Sequence, residues 1–179
     1  MPLKVGNFYI SQNEQFDYST EVLDSLYIDT LSLISSKAVG ADTFFSVRIS
    51  GKELEDSAYL YNRSDGLWGL QEDNLLVAKY PASVGDSFSP DTIFGSGSDP
   101  WCTGKWVLVA KDDPVSVPAG IFKCYKYQKE MRVDSTGELY KRDINWMAPG
   151  IGFVKYEAWY NDSKLHIVYR QSLVGYHLE

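Results

Sequence analysis

One stretch leaves the backbone few choices. Residues 146–160 read Trp-Met-Ala-Pro-Gly-Ile-Gly-Phe-Val-Lys-Tyr-Glu-Ala-Trp-Tyr. Proline fixes φ and glycine permits positive φ, so Pro149-Gly150 turns the chain where the alternating residues on either side cannot. Beyond the corner, Val154, Tyr156, Ala158 and Tyr160 share one face of a strand, and Lys155 and Glu157 share the other. In the next segment Leu165, Ile167 and Tyr169 alternate with His166, Val168 and Arg170. An even turn centred on Asp162-Ser163 would set Tyr160 opposite Leu165, Ala158 opposite Ile167 and Tyr156 opposite Tyr169, matching the two apolar faces. This register predicts a buried Ala158 and a solvent-facing Glu157 whose truncation is nearly neutral.

The remainder of the chain reads in the same way. Asn7 to Gln12 is strand-like. Residues 20–36 fit either a helix, with Leu23, Tyr27, Leu31 and Ile34 on one side, or a strand, and the β-rich run with Thr30 and Ser32 favours the strand. Ser64-Asp65-Gly66 is a hairpin signal between two apolar segments. Residues 89–103 form the longest stretch without periodicity and carry Trp101 and Cys102. Along Gly120 to Val133 the apolar face changes, which predicts a β-bulge near Lys126. About ten short strands and no clear helix predict an all-β, antiparallel single domain over 1–177, its sheet curled into a barrel or packed as a sandwich. Leu178-Glu179 read as a cloning scar, so the lack of a signal segment at Met1 carries no information about compartment.

Hydrophobic residues make up 44% of the 179, enough for a sizeable core, and the net charge of −7 argues against nucleic acid or anionic membrane surfaces as partners. No apolar run approaches the roughly 18 residues of a membrane helix.

Four segments taken together carry a resemblance: Ser64 to Leu67, Tyr80-Pro81 through Val84-Gly85-Asp86, Val117-Pro118-Ala119-Gly120-Ile121-Phe122, and Pro149-Gly150-Ile151-Gly152-Phe153-Val154-Lys155. As a set, over residues 57–173, they resemble a group of uncharacterised bacterial exported proteins, many of them lipoproteins. The resemblance implies a β-rich domain of the periplasm, outer membrane or cell surface, with a lipid anchor in the full-length protein. It carries over no catalytic residue.

The residues themselves offer little chemistry. Cys102 and Cys124 are candidates for a disulfide tying the long loop to the sheet, against the alternative of a buried Cys124 and a free Cys102. His166 and His177 lack metal-ligand spacing, and the acidic groups Asp112-Asp113 and Glu53 with Glu55-Asp56 read as solvated turn residues. No nucleophile elbow, P-loop or dinucleotide fingerprint is present, so neither catalysis nor a cofactor is expected. Trp101, Trp159 and His166, with Trp159 set beside His166 on the charged face, are the candidate ligand contacts. The expected function is non-enzymatic binding of a small ligand or an envelope protein. The alternatives are a structural domain acting through protein contacts and an enzyme whose site leaves no motif. Phe8, Trp106, Phe122, Tyr156, Tyr160, Ile167 and Tyr169 are all expected to point inward and fill the core, which confines any ligand to an open end near 89–103.

Overall fold

A computed structural model describes residues 1–50, 58–70, 74–88, 102–162 and 164–179. The strands are β1 (Phe8–Phe16), β2 (Leu23–Val39), β3 (Asp42–Ser50), β4 (Ala58–Arg63), β5 (Gly66–Leu70), β6 (Asn74–Lys79), β7 (Ser87–Phe88), β8 (Cys102–Thr103), β9 (Trp106–Val117), β10 (Gly120–Val133), β11 (Leu139–Ala148), β12 (Gly152–Asn161) and β13 (Leu165–His177). They form one antiparallel sheet in the order β6-β5-β4-β3-β2-β1-β13-β12-β11-β10-β9-β7, with β8 beside β10. The first and last long strands meet in the middle of the sheet, and on either side the chain runs as a meander. The all-β antiparallel expectation holds, as a nearly closed barrel. The strands are more numerous and several are longer than expected, because polar stretches such as Asn13 to Phe16 continue a ladder that their composition alone would end.

Residues 20–36 contribute to a 17-residue strand, not a helix. Two predicted corners are also present: Ser64-Asp65 joins β4 to β5, and Pro149 to Ile151 joins β11 to β12, with Gly150 at φ 76°. The bulge predicted near Lys126 appears as register shifts on either side of that residue. The extra residues are on β9, and along β10 Cys124 and Tyr127, three residues apart, face opposite sides by alternation and enter the two separate cores.

The register of β12 with β13 differs from the sequence expectation. Asn161 lies opposite Leu165, Tyr160 opposite His166, Ala158 opposite Tyr169 and Tyr156 opposite Gln171. The connection is thus odd, and a bulge at Val168 between the Trp159–Ile167 and Ala158–Tyr169 pairs restores the inward face. A bulge absorbs one residue, so a sequence match of apolar faces cannot by itself choose between an even turn and an odd turn with a bulge.

The sheet ends approach one another through side chains and single hydrogen bonds. Leu33, Leu60 and Leu67 from one end of the path share a core with Trp106, Leu108 and Tyr127 from the other. The Tyr127 hydroxyl donates to the Lys79 carbonyl (2.5 Å), and Gly85 N–H donates to the Leu108 carbonyl (2.8 Å). A second core gathers Val115, Val117, Cys124, Trp146, Val154 and Leu173 between the β9–β10 hairpin and strands β12 and β13. Ala119 N–H at the hairpin tip donates to the Leu173 carbonyl (3.1 Å), and Trp146 Nε1 donates to Asp113 Oδ2 (2.8 Å). Asp113 is therefore engaged with an indole, not left as a solvated turn carboxylate. Val154 is fully buried here, which favours the folded state by about 1.5–3 kcal/mol.

The proposed disulfide is not formed. Cys124 is a free, fully buried thiol. Cys102 pairs with Val133, nine residues along β10 from Cys124, or roughly 30 Å at the rise of a strand. A bridge needs Cα atoms within about 7 Å. Burial, and secondarily the charge of Asp113, pushes the Cys124 thiol up to about 12. Iodoacetamide is expected to leave Cys124 of the folded protein unmodified at pH 8 and to alkylate it in denaturant without any reductant. Reaction of Cys124 only after reduction would contradict the structure.

Candidate functional site

The barrel interior is not filled. It holds a cavity of about 450 Å³, within the range of small-molecule sites. Four of the seven large side chains expected to fill it do line it: Trp106, Tyr156, Tyr160 and Tyr169. The other three are not on its wall. Phe8 stacks on His177 (5.5 Å between ring centroids), and Phe122 packs edge-on to Tyr176 (6.2 Å). Ile167 lies opposite Trp159 on the other face. A sheet of this many strands also encloses a wider space than the small barrels that side chains can fill. The filled-core expectation is overturned for these two reasons.

The cavity has two kinds of wall. Strands β2 to β6 supply Leu31, Ile49, Leu60, Leu67 and Val77. Opposite them, β11 places Lys141, Asp143 and Asn145 on one face by strict alternation, followed by Met147. Asp143 is the best connected of these. Its Oδ1 lies 3.1 Å from Lys141 Nζ and accepts from the Tyr156 hydroxyl at 2.9 Å. Its register partner on β10 is Lys129, only 2% exposed. Burial, and then the Asp143 charge, raises the Tyr156 phenol well above its ordinary value, so the hydroxyl remains a donor. Lys141 also lies over the Tyr160 ring (5.5 Å). A second polar group reaches across β13, β1 and β2. The Tyr169 hydroxyl donates to Asn13 Oδ1, and Asn13 Nδ2 donates to Asp29 Oδ2 (3.0 Å). Burial, then the neighbouring Tyr27, raises the Tyr169 phenol in turn.

The Trp106 indole N–H and Asn145 Oδ1 are buried on the cavity wall without a hydrogen-bond partner among the described residues, and so is one oxygen, Oδ1, of the otherwise hydrogen-bonded Asp29. Burying such a group unpaired costs about 1–3 kcal/mol. Orphan atoms on the wall of one cavity are what a site looks like when their polar partner is a ligand.

The residues singled out from sequence lie elsewhere. Trp101 and most of the 89–103 segment fall outside the described residues. His166 is buried, its Nδ1 2.9 Å from Glu21 Oε1 and its Nε2 3.0 Å from Asp162 Oδ1, with Tyr18 against its ring (5.7 Å). It fastens the loop after β1 to the β12–β13 turn. Trp159 is half-buried and donates from Nε1 to Glu157 Oε2 (3.2 Å). The register separates the two onto opposite faces, because the odd connection between Asn161 and Leu165 sets Trp159 against Ile167 and His166 against Tyr160. Glu157, expected to be solvated, is only 7% exposed and pairs with Lys155 (2.8 Å) and Arg170 (3.3 Å).

Sequence reasoning overlooked Lys129, Lys141, Asp143 and Asn145, because alternating polar residues on a strand ordinarily mark its solvent face. The signal available was Trp146 and Ile144 on the other face of β11, which are large apolar residues that also need cover.

Residues 108–169 match the DUF3108-like family. The match spans β9 to β13, and therefore the lysine wall and the hairpin that covers Trp146. No curated protein matches the chain. Among solved structures, a Bacteroides fragilis protein with a YmcC-like fold, taken to be exported, is similar over 99% of this chain and 98% of its own, with 15% identity and a TM-score of 0.58. A Parabacteroides distasonis protein taken to be a lipoprotein aligns over 99% and 97%, with 12% identity and a TM-score of 0.47. The first likeness extends the barrel topology to a second sequence.

Proposed function

We propose that this chain is a non-catalytic binding domain of the bacterial cell envelope that holds a small, largely apolar molecule inside its barrel. The observation that carries this reading is the 450 Å³ cavity, apolar over β3 to β6, on whose wall the Trp106 and Asn145 polar atoms lie without hydrogen-bond partners among the described residues. An apolar molecule gains roughly 25 cal/mol for each Å² it removes from water, and the orphan groups would fix its orientation. The likeness to a Bacteroides fragilis protein taken to be exported supports an envelope location, where apolar compounds need a carrier to cross water.

The test is titration of delipidated protein with an environment-sensitive apolar dye. Saturable binding of one dye per chain is expected, and Ile49→Trp, which projects an indole into the cavity, should abolish it while leaving the melting transition in place. Dye binding that survives this substitution, or none by the wild-type protein, overturns the reading.

A further inference from the structure

We propose that the bound molecule is uncharged and carries hydroxyl groups at two separated points of an apolar body; this rests on the binding reading above. The argument starts from how polarity is laid out around the barrel. Asn145, Tyr156, Gln171, Asn13 and Tyr27 stand directly across from one another on the consecutive strands β11, β12, β13, β1 and β2. Directly opposed residues share a face of the sheet, so these side chains form one polar row. Four of them line the cavity, and Asn13 is fully buried within the row. The strands β3 to β6 add Ile49, Leu60, Leu67 and Val77, which give the body of the ligand apolar contact and no hydrogen bond.

The orphan atoms lie toward the two ends of that row. At one end Asn145 has its Oδ1 without a partner, and Trp106 reaches the same wall by opposing Lys129, whose other neighbour is Asp143, two residues before Asn145. At the other end Asp29, two residues beyond Tyr27 on β2, accepts from Asn13 through Oδ2, while its buried Oδ1 has no hydrogen-bond partner among the described residues. Asn145 and Asp29 are four strands apart, roughly 19 Å around the wall, which is too far for one hydroxyl to serve both.

Donor and acceptor character then select the group. The first end offers an N–H and an amide oxygen, and a hydroxyl accepts from one and donates to the other with a single atom. The second end asks for a donor. Turning the Asn145 amide over would make it a donor, but Asp29 would still require one, so the set stays mixed either way. The tyrosines point the same way. Tyr156 spends its proton on Asp143 and Tyr169 on Asn13, which leaves their oxygens to accept. A carboxylate only accepts, so it cannot serve Asp29 and would add a like charge to it. An ammonium only donates, so it cannot serve the Trp106 indole. Lys141 on this wall already has its counter-ion in Asp143 at 3.1 Å, so the ligand need not supply a charge.

The experiment compares 1,10-decanediol, 1-decanol, decanoate and decylammonium in displacing the apolar dye from delipidated protein at neutral pH. The diol is expected to compete about twofold to tenfold more tightly than decanol, the gain of one net hydrogen bond. Both alcohols should compete at least about tenfold more tightly than either ion, which would give up its hydration on entering. Asp29→Leu should bring the diol down to the affinity of decanol and leave decanol as it was. Because Asn13 loses an acceptor in that variant and the barrel can loosen, Trp106→Phe provides a second measure, with both alcohols weakened about twofold to tenfold and the fold kept. Decanoate or decylammonium competing as tightly as decanol overturns the uncharged assignment, and a diol no tighter than decanol overturns the second hydroxyl, while dye binding still supports the cavity. If the dye itself fails to bind, the binding reading falls first and this one with it.

Discussion

Asp143→Ala is expected to cost about 3–5 kcal/mol, enough to unfold a domain of ordinary stability. The side chain is 1% exposed, holds Lys141 at 3.1 Å, accepts from Tyr156 at 2.9 Å and lies across from buried Lys129. Removing it strands the Lys141 ammonium in a low-dielectric interior, and that desolvation is the larger part of the cost. The ion pair itself is not the source of the stability. Replacing both partners, as Lys141→Met with Asp143→Leu, should recover much of the loss, because a buried pair exchanged for apolar residues of similar volume is often neutral. Urea unfolding monitored by tryptophan fluorescence measures both. A loss below about 1 kcal/mol for Asp143→Ala would mean that the carboxylate is solvated and the lysine wall is not closed as described.

The parts of this fold legible in the sequence were those set by local backbone chemistry. Pro149-Gly150 and Ser64-Asp65-Gly66 turn the chain because few other residues can, and the irregularity expected around Lys126 is present, although its extra residues lie on β9. What escaped was the direction of each face. Along β11 the residues Tyr140, Ile144 and Trp146 look like a core face, and Lys141, Asp143 and Asn145 look like a solvent face. The structure buries both, because the β9–β10 hairpin folds onto Trp146 and Val154 while the other face turns its polar groups into a cavity. Nothing within β11 encodes that cover. It depends on Val115, Val117 and the Ala119–Leu173 hydrogen bond, contacts from other strands. The same non-local logic moved His166 and Trp159 to opposite faces. The odd connection between Asn161 and Leu165 decides it, and the bulge at Val168 that compensates for it is hidden, because a β-branched apolar side chain there is equally at home in a regular strand. Cavity size was out of reach for a related reason. It depends on the number of strands in the wall, and polar segments such as Asn13 to Phe16 hide strand length.

Ala158→Asp and Glu157→Ala together test the two faces of β12, and the second of them separates the observed structure from the sequence expectation. Ala158 is 4% exposed on the cavity wall and lies directly across β11 from Asp143. An aspartate there would be a second buried carboxylate facing the first. Like charges opposite one another destabilise a strand pair, and Lys141 on that wall is already engaged with Asp143. Burial without a free partner then sets the scale, a loss of about 2–4 kcal/mol. The neighbouring Glu157 gives the contrast. Under the sequence-based register its truncation would be neutral, but it sits 7% exposed between Lys155 and Arg170 and accepts from the Trp159 indole. Glu157→Ala should therefore lose about 1–3 kcal/mol, since three donors lose a charged acceptor. The two faces also differ in their response to salt. The Glu157 pairs are partly open to solvent through Lys155 and Arg170, so raising ionic strength should shrink the effect of Glu157→Ala and leave that of Ala158→Asp almost unchanged. A neutral Glu157→Ala would restore the solvent-facing register, and a harmless Ala158→Asp would place residue 158 outside the barrel.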